Sequence, residues 1–163
     1  AQKAVGYFSK YLRRNMACLS ERKPSPFEED IHHVESYLNL EKLRDGERLQ
    51  VIYDVASTDF AIPALTVQPL VENAVKHGIG KKKSGGVITI MTRETPEAYV
   101  ITVTDTGVGF DPAKPKQDGQ PHLGLKSVRD RLTTMSGGRL EVASVPDQGT
   151  TVTIAIPKGG RML

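Results

Sequence analysis

The sequence is poor in the features that mark several whole classes of protein. One cysteine, Cys18, stands among 163 residues, so no internal disulfide forms and nothing points to an oxidising compartment. No apolar run approaches the roughly 20 residues that span a bilayer, and no signal-peptide pattern opens the chain. A cytosolic or cytosol-facing chain is the expectation. Internal repeats are lacking. Aromatic residues are 6% of the total and none interleaves with the basic run Lys81-Lys82-Lys83. With a net charge of only +3, that argues against nucleic acid as a partner, and the run reads as a solvated loop. What remains, 38% apolar and 25% charged, is the balance of a globular domain with one core.

Hydrophobic periodicity divides the chain. Val5, Phe8, Leu12, Met16 and Leu19 predict a first helix, broken between Glu21 and Pro26. Ser25-Pro26-Phe27-Glu28 reads as a capping box, with Ser25 as N-cap, Pro26 at the first helical position and Glu28 returning to the cap. Ile31, Val34 and Leu38 carry this second helix to Asp45-Gly46. The period then drops to two: Leu49, Val51, Tyr53 and Val55 alternate as in a half-buried strand. Beyond Pro63, the stretch QPLVENAVKHGIG predicts a helix from Leu65 to His77 capped by Gly78. Strands over 87–93 and 99–105 follow. Residues 106–123 are rich in glycine and proline and have the length of a lid or binding loop. A helix over 124–135 stops at Gly137-Gly138, and a last hairpin turns at Pro146-Asp147-Gln148-Gly149. Paired strands with helices between them predict an α+β fold: two layers, a mixed sheet with helices on one face. The division is a domain over 47–163 preceded by a helical segment over 1–46.

Four stretches carry chemistry. On the 65–77 helix, Val67, Leu70, Val71, Ala74 and Val75 cover the core side, while Asn73, Lys76 and His77 share an edge. An amide oxygen suits Mg²⁺, a lysine suits phosphate, and an imidazole packs on or bonds to a sugar or base. A polar edge on a surface helix has the same composition. In ITVTDTGVGF a strand ends at Asp105, an acceptor for an exocyclic amine, and Gly107 and Gly109 let backbone approach a flat ring. The same residues also suit a hairpin turn. In HLGLKSVRDRL, Gly124-Leu125 opens a helix whose free N–H groups favour phosphate, with Lys126 and Arg129 nearby. In DQGTTVTIAIP, Thr150 offers a hydroxyl at the start of the last strand.

In this order and spacing, the four stretches resemble the N, G1, G2 and G3 boxes of the Bergerat ATP-binding fold, and among its members the LytS-like sensor histidine kinases. YLRRNM and EEDIHHVESYLNLEKLR resemble the segment those kinases carry ahead of the ATP domain. The resemblance implies ATP and Mg²⁺ as cofactors. It gives Asn73 the Mg²⁺, Lys76 the phosphates, His77 the sugar side and Asp105 the adenine amino group. Gly107 and Gly109 would wall the base, Thr150 would assist Asp105, and residues 110–123 would form a lid closing at Gly124-Leu125. It also implies transfer of the γ-phosphoryl group to a histidine on a dimerisation helix, relay to a response regulator, and a homodimeric, membrane-anchored parent with this chain in the cytoplasm.

Departures from the family pattern are instructive. The second box reads His122-Leu123-Gly124, one glycine short at the lid hinge. Pro69 stands four residues before Asn73, where ATP-hydrolysing relatives carry a water-activating glutamate; Glu72, on a neighbouring helix position, is a minor candidate base. No Pro-His-Phe acceptor motif occurs, and His32-His33 read as ordinary helix residues. The alternatives are a topoisomerase- or chaperone-type ATPase and a non-catalytic, nucleotide-gated interaction module.

Overall fold

The computed structural model describes residues 24–114 and 122–159. The predicted first helix, Cys18 and the middle of the lid lie outside them. The elements are β1 (Pro24–Pro26), α1 (Phe27–Asp45), β2 (Leu49–Val55), β3 (Ala61–Pro63), α2 (Val67–Asn73), β4 (Gly86–Glu94), β5 (Ala98–Asp105), α3 (His122–Ser136), β6 (Arg139–Val145) and β7 (Gly149–Pro157). Five strands form one sheet in the order β2-β4-β5-β7-β6. β2 runs parallel to β4, and every other pair is antiparallel. The mixed sheet and its helical layer are those expected. No described helix is long and apolar enough to cross a membrane.

Alternation decides which strand residues meet the helices. Ile88 and Ile90 of β4, Ile101 and Val103 of β5, and Val152 and Ile154 of β7 are buried on the inner face. Each fully buried side chain of this size contributes about 2 kcal/mol. Asp105 continues the inward row of Ile101 and Val103, so the pleat itself carries a carboxylate under the helices. α1 adds Phe27, Val34, Tyr37 and Leu38 to the same core, α2 adds Val67, Leu70 and Val71, and α3 adds Leu125, Val128 and Leu132. On the outer face the threonines at 89, 102, 104, 151 and 153 are half-buried, and the Thr104 and Thr151 hydroxyls lie 3.2 Å apart.

Two local expectations are corrected. The capping box does not form: Ser25 is in β1, paired with Ile62 of β3, and α1 starts after Pro26 with no side-chain cap. A long-range strand pair takes the backbone that the box required, and the carbonyl of Phe60 accepts the Phe27 N–H at 2.9 Å. Likewise Gly78 is no helix cap. The α-helix gives way after Asn73 to a wider π-turn over Ala74–Gly78, then to a 3₁₀ turn over Ile79–Lys81.

The turn before α2 is held by a buried carboxylate and a half-buried guanidinium. Asp30 of α1 accepts the N–H groups of Thr66 (3.1 Å) and Val67 (2.7 Å), while Arg131 of α3 donates to the carbonyls of Ala64 (2.7 Å) and Leu65 (2.8 Å). Burial pushes the Asp30 carboxyl up from 3.8 to about 6, against the pull of the Val67, Thr66 and Leu65 N–H groups and of Arg131. A folded-state value above the unfolded one means that protons favour the native chain. The stability contributed by Asp30 is therefore complete below 3.8 and lost as pH rises through about 6. A melting series across that window should show this slope in the wild type and lose it in Asp30→Asn.

Candidate functional site

The inner-face row that ends at Asp105 and the edge of α2 enclose one cleft, of about 720 Å³ counting the solvent at its mouth. Its apolar walls come from Leu70, Ala74, Val103, Val108, Leu125 and Val152, and its polar groups from Asn73, His77, Lys81, Asp105 and Thr150. Flat apolar walls with a few convergent polar groups are the make-up of a small-molecule site.

The widened turn explains how one helix supplies so many of these groups. On an α-helix, residues four apart drift by about 40° around the axis. A π-turn fits more residues into each turn and cancels that drift, and such turns gather at functional sites. Asn73 and His77, four apart, therefore stay on the cleft side, and Lys81 reaches the cleft from the 3₁₀ turn that follows. The turn also brings Gly78 against the carboxylate of β5: a Cβ on Gly78 would lie 2.5 Å from Asp105 Oδ1.

Asp105 is 5% exposed and its Oδ1 accepts the Gly107 N–H at 2.9 Å. Burial pushes its carboxyl up, while the N–H groups of Gly107 and Thr150 and the charge of Lys82 pull it down. Thr150 thus serves Asp105 through its backbone; its hydroxyl lies 2.8 Å from that of Ser144. Facing them across the cleft, Asn73 Nδ2 and His77 Nδ1 are buried with no protein partner among the described residues. Burial, then Lys81, then Lys76 hold the imidazole of His77 below its ordinary value, so it is neutral near pH 7. Two orphaned polar atoms in a buried wall fit a polar ligand that satisfies them, since an unmet buried group costs about 1–3 kcal/mol. For a cation, no group of three or more His, Cys, Asp or Glu converges among the described residues. The carboxamide of Asn73 fits Mg²⁺ only in company with ligand phosphates and water, which is how this ion is commonly held.

The predicted residues Asn73, His77, Asp105, Gly109, Leu125 and Thr150 meet in this cleft. Lys76 is exposed outside it, its ammonium 3.6 Å from Glu72 Oε2, and Glu72 also accepts from Gln68 Nε2 at 2.8 Å. Gly107 lines no part of it: a Cβ there would sit 2.2 Å from the Gly78 carbonyl carbon, so this glycine joins the β5 loop to the π-turn. Lys126 is exposed and off the lining, and Gly124 lies within the first turn of α3, which begins two residues earlier than predicted. In that turn a glycine N–H needs no helical acceptor, so the position is tolerated. Lys81, read from sequence as part of a solvated run, is the group that was missed. The four-residue spacing continued from Asn73 and His77 is the signal that marks it.

The family model described as histidine kinase-, DNA gyrase B-, and HSP90-like ATPase matches residues 60–160. The sensor histidine kinase YpdA of Escherichia coli K12 is 33% identical over 163 residues, which cover 96% of this chain and 28% of YpdA. The sensor protein LytS of Streptococcus mutans is 32% identical over 167 residues, covering 96% of this chain and 29% of LytS. The chain thus spans less than a third of either relative. The histidine kinase domain of the blue-light activated histidine kinase from Erythrobacter litoralis EL346 superposes with a TM-score of 0.62 at 20% identity, over 96% of this chain and 73% of that one, a likeness of fold.

Proposed function

The chain belongs to the histidine kinase-, DNA gyrase B- and HSP90-like ATPase family, as the ATP-binding domain of a LytS-like sensor histidine kinase, and on that premise we propose how its cleft works. Asp105 accepts the amino group of adenine, and the apolar walls take the faces of the ring. Asn73 and His77 receive the sugar and phosphate end, and Asn73 is the residue that would hold Mg²⁺. That ion, when bound, neutralises charge on the phosphate oxygens. The γ-phosphoryl group passes to a histidine on a dimerisation helix supplied by the longer parent, a cytoplasm-facing homodimer anchored in a membrane, and from there to a response regulator. Transfer of this kind rests on positioning and charge neutralisation rather than on covalent work by the domain. Pro69 in place of a water-activating glutamate favours transfer over hydrolysis.

One observation carries the reading: a buried carboxylate and a carboxamide whose Nδ2 has no partner among the described residues line the same apolar-walled cleft. Calorimetry with ATP and Mg²⁺ should show Asp105→Ala and Asn73→Asp each weakening affinity at least tenfold, about 1.4 kcal/mol. Wild-type affinity in both variants would refute the site. Adding a separately made dimerisation segment should then yield acid-labile phosphate on that segment. Free phosphate released without it would instead favour an ATPase.

A further inference from the structure

Residues 64–67 form a turn gripped from both sides by opposite charges. Its N–H groups at Thr66 and Val67 point at the carboxylate of Asp30, and its carbonyls at Ala64 and Leu65 point at the guanidinium of Arg131. No salt bridge joins the two charges directly among the described residues; each holds the other through the peptide strap between them. Asp30 is buried at 1% exposure and Arg131 is half-buried, and a charge kept out of water is costly. Neutral groups of the same shape would hold a turn more cheaply. A charge makes a stronger hydrogen bond to each peptide group than a neutral side chain does, and so ties the turn more firmly to the elements bearing the charges. Here those elements are α1, which leads in from the N-terminal segment, and α3, which brings Leu125 to the cleft.

The strap is also strained. Leu65 has φ of 55°, a left-handed conformation that costs a non-glycine residue and persists only where the surroundings over-determine it. Thr66 adds a hydroxyl bond to the Pro63 carbonyl. Release of either charge removes part of that determination. Val67, the second residue gripped by Asp30, begins the helix that carries Asn73 and, a turn later, His77.

We propose that Asp30 and Arg131 are positioning residues for the nucleotide cleft, a clamp through which the placement of α1 sets how well Asn73 and His77 meet the nucleotide. This rests on the nucleotide reading of the cleft. The groups facing Asp30 are Arg131 from α3 and the backbone N–H groups of the turn, with His33 one helical turn along α1.

The test is affinity for a non-hydrolysable ATP analogue with Mg²⁺, measured against pH for wild type, Asp30→Asn and Arg131→Gln, with Asp105→Ala as control. Near neutral pH both clamp variants should bind about fivefold or more weakly, within the usual range of coupled sites, and the double variant should lose little beyond either single change. The gap between wild type and Asp30→Asn should close as pH falls below about 6, where the wild-type carboxyl is itself neutral. The nucleotide, His77 and His33 are present in both proteins, so the difference between the two reports Asp30. A purely structural role predicts lower melting temperature with unchanged affinity at every pH, and that outcome would overturn the clamp. Arg131→Gln keeps the test decisive if Asp30→Asn folds poorly. Should Asp105→Ala bind as wild type, the nucleotide reading falls and the clamp with it; a large Asp105→Ala effect beside silent clamp variants strikes the clamp alone.

Discussion

Gly149→Ala is expected to cost about 4 kcal/mol or more of folding stability, in the range reserved for severe backbone conflict. Gly149 opens β7 with φ of 108°, and a Cβ there would fall 1.9 Å from the carbonyl oxygen of Asp105. Neither side can yield cheaply. The Asp105 carbonyl belongs to the β5·β7 ladder, where Asp105 pairs with Thr150. Pushing β7 away draws the Thr150 N–H from the carboxylate and breaks the Ser144 hydroxyl bond to Gly149 at 3.0 Å. Gly137 provides the control. Its φ is 66° but a Cβ would meet nothing within 4 Å, so Gly137→Ala should cost only the left-handed backbone, about 1–2 kcal/mol. Urea denaturation of both variants separates collision from conformation. Equal losses would mean that the strands part without penalty.

Phe27→Ala should remove about 4 kcal/mol, near the middle of the range for a buried phenylalanine. The ring is fully buried at the first residue of α1 and stacks on Phe60 at 4.7 Å, which stacks in turn on Tyr99 at 4.6 Å. The ammonium of Lys158 completes the column 5.0 Å from the Tyr99 ring. The column ties α1, the β3 approach and β5 together, so its loss should also raise amide exchange along the start of α1. A loss under about 1 kcal/mol would show that α1 stays on the sheet without that ring. Phe27→Leu, which keeps most of the volume, should cost no more than about 1.5 kcal/mol.

The strands and the buried edge of α2 were legible because period-two and period-3.6 patterns are written by the core itself. Ile101, Val103 and Asp105 share one inward row, and the sequence marks that row without help from elsewhere. What stayed hidden depends on partners far along the chain. Ser25 pairs with Ile62, and no local signal distinguishes that pairing from a helix cap. The widened turn follows from the need of Gly78 to approach Asp105 and Gly107 at distances that exclude a Cβ. That need decides between Lys76 and Lys81: an α-helical reading puts Lys76 with Asn73 and His77, whereas the observed backbone brings Lys81 to the cleft and leaves Lys76 with Glu72. Asp30, three after Phe27 and four before Val34, is set apart from Glu28 and Glu29 by the helical period, but the groups it holds, the N–H groups of Thr66 and Val67, lie far along the chain and carry no such mark.

The parallel pairing of β2 with β4 places residues 56–85, and with them Asn73 and His77, on the return path between two neighbouring strands. Such a path closes only when distant segments have found each other, a slow step because chain entropy is lost before contacts repay it. Asp105, on the strand after, has no opposite wall until then. The cleft therefore needs both this crossover and the equally distant pairing of β5 with β7, and retention of a ligand on a column reports a chain in which both have formed.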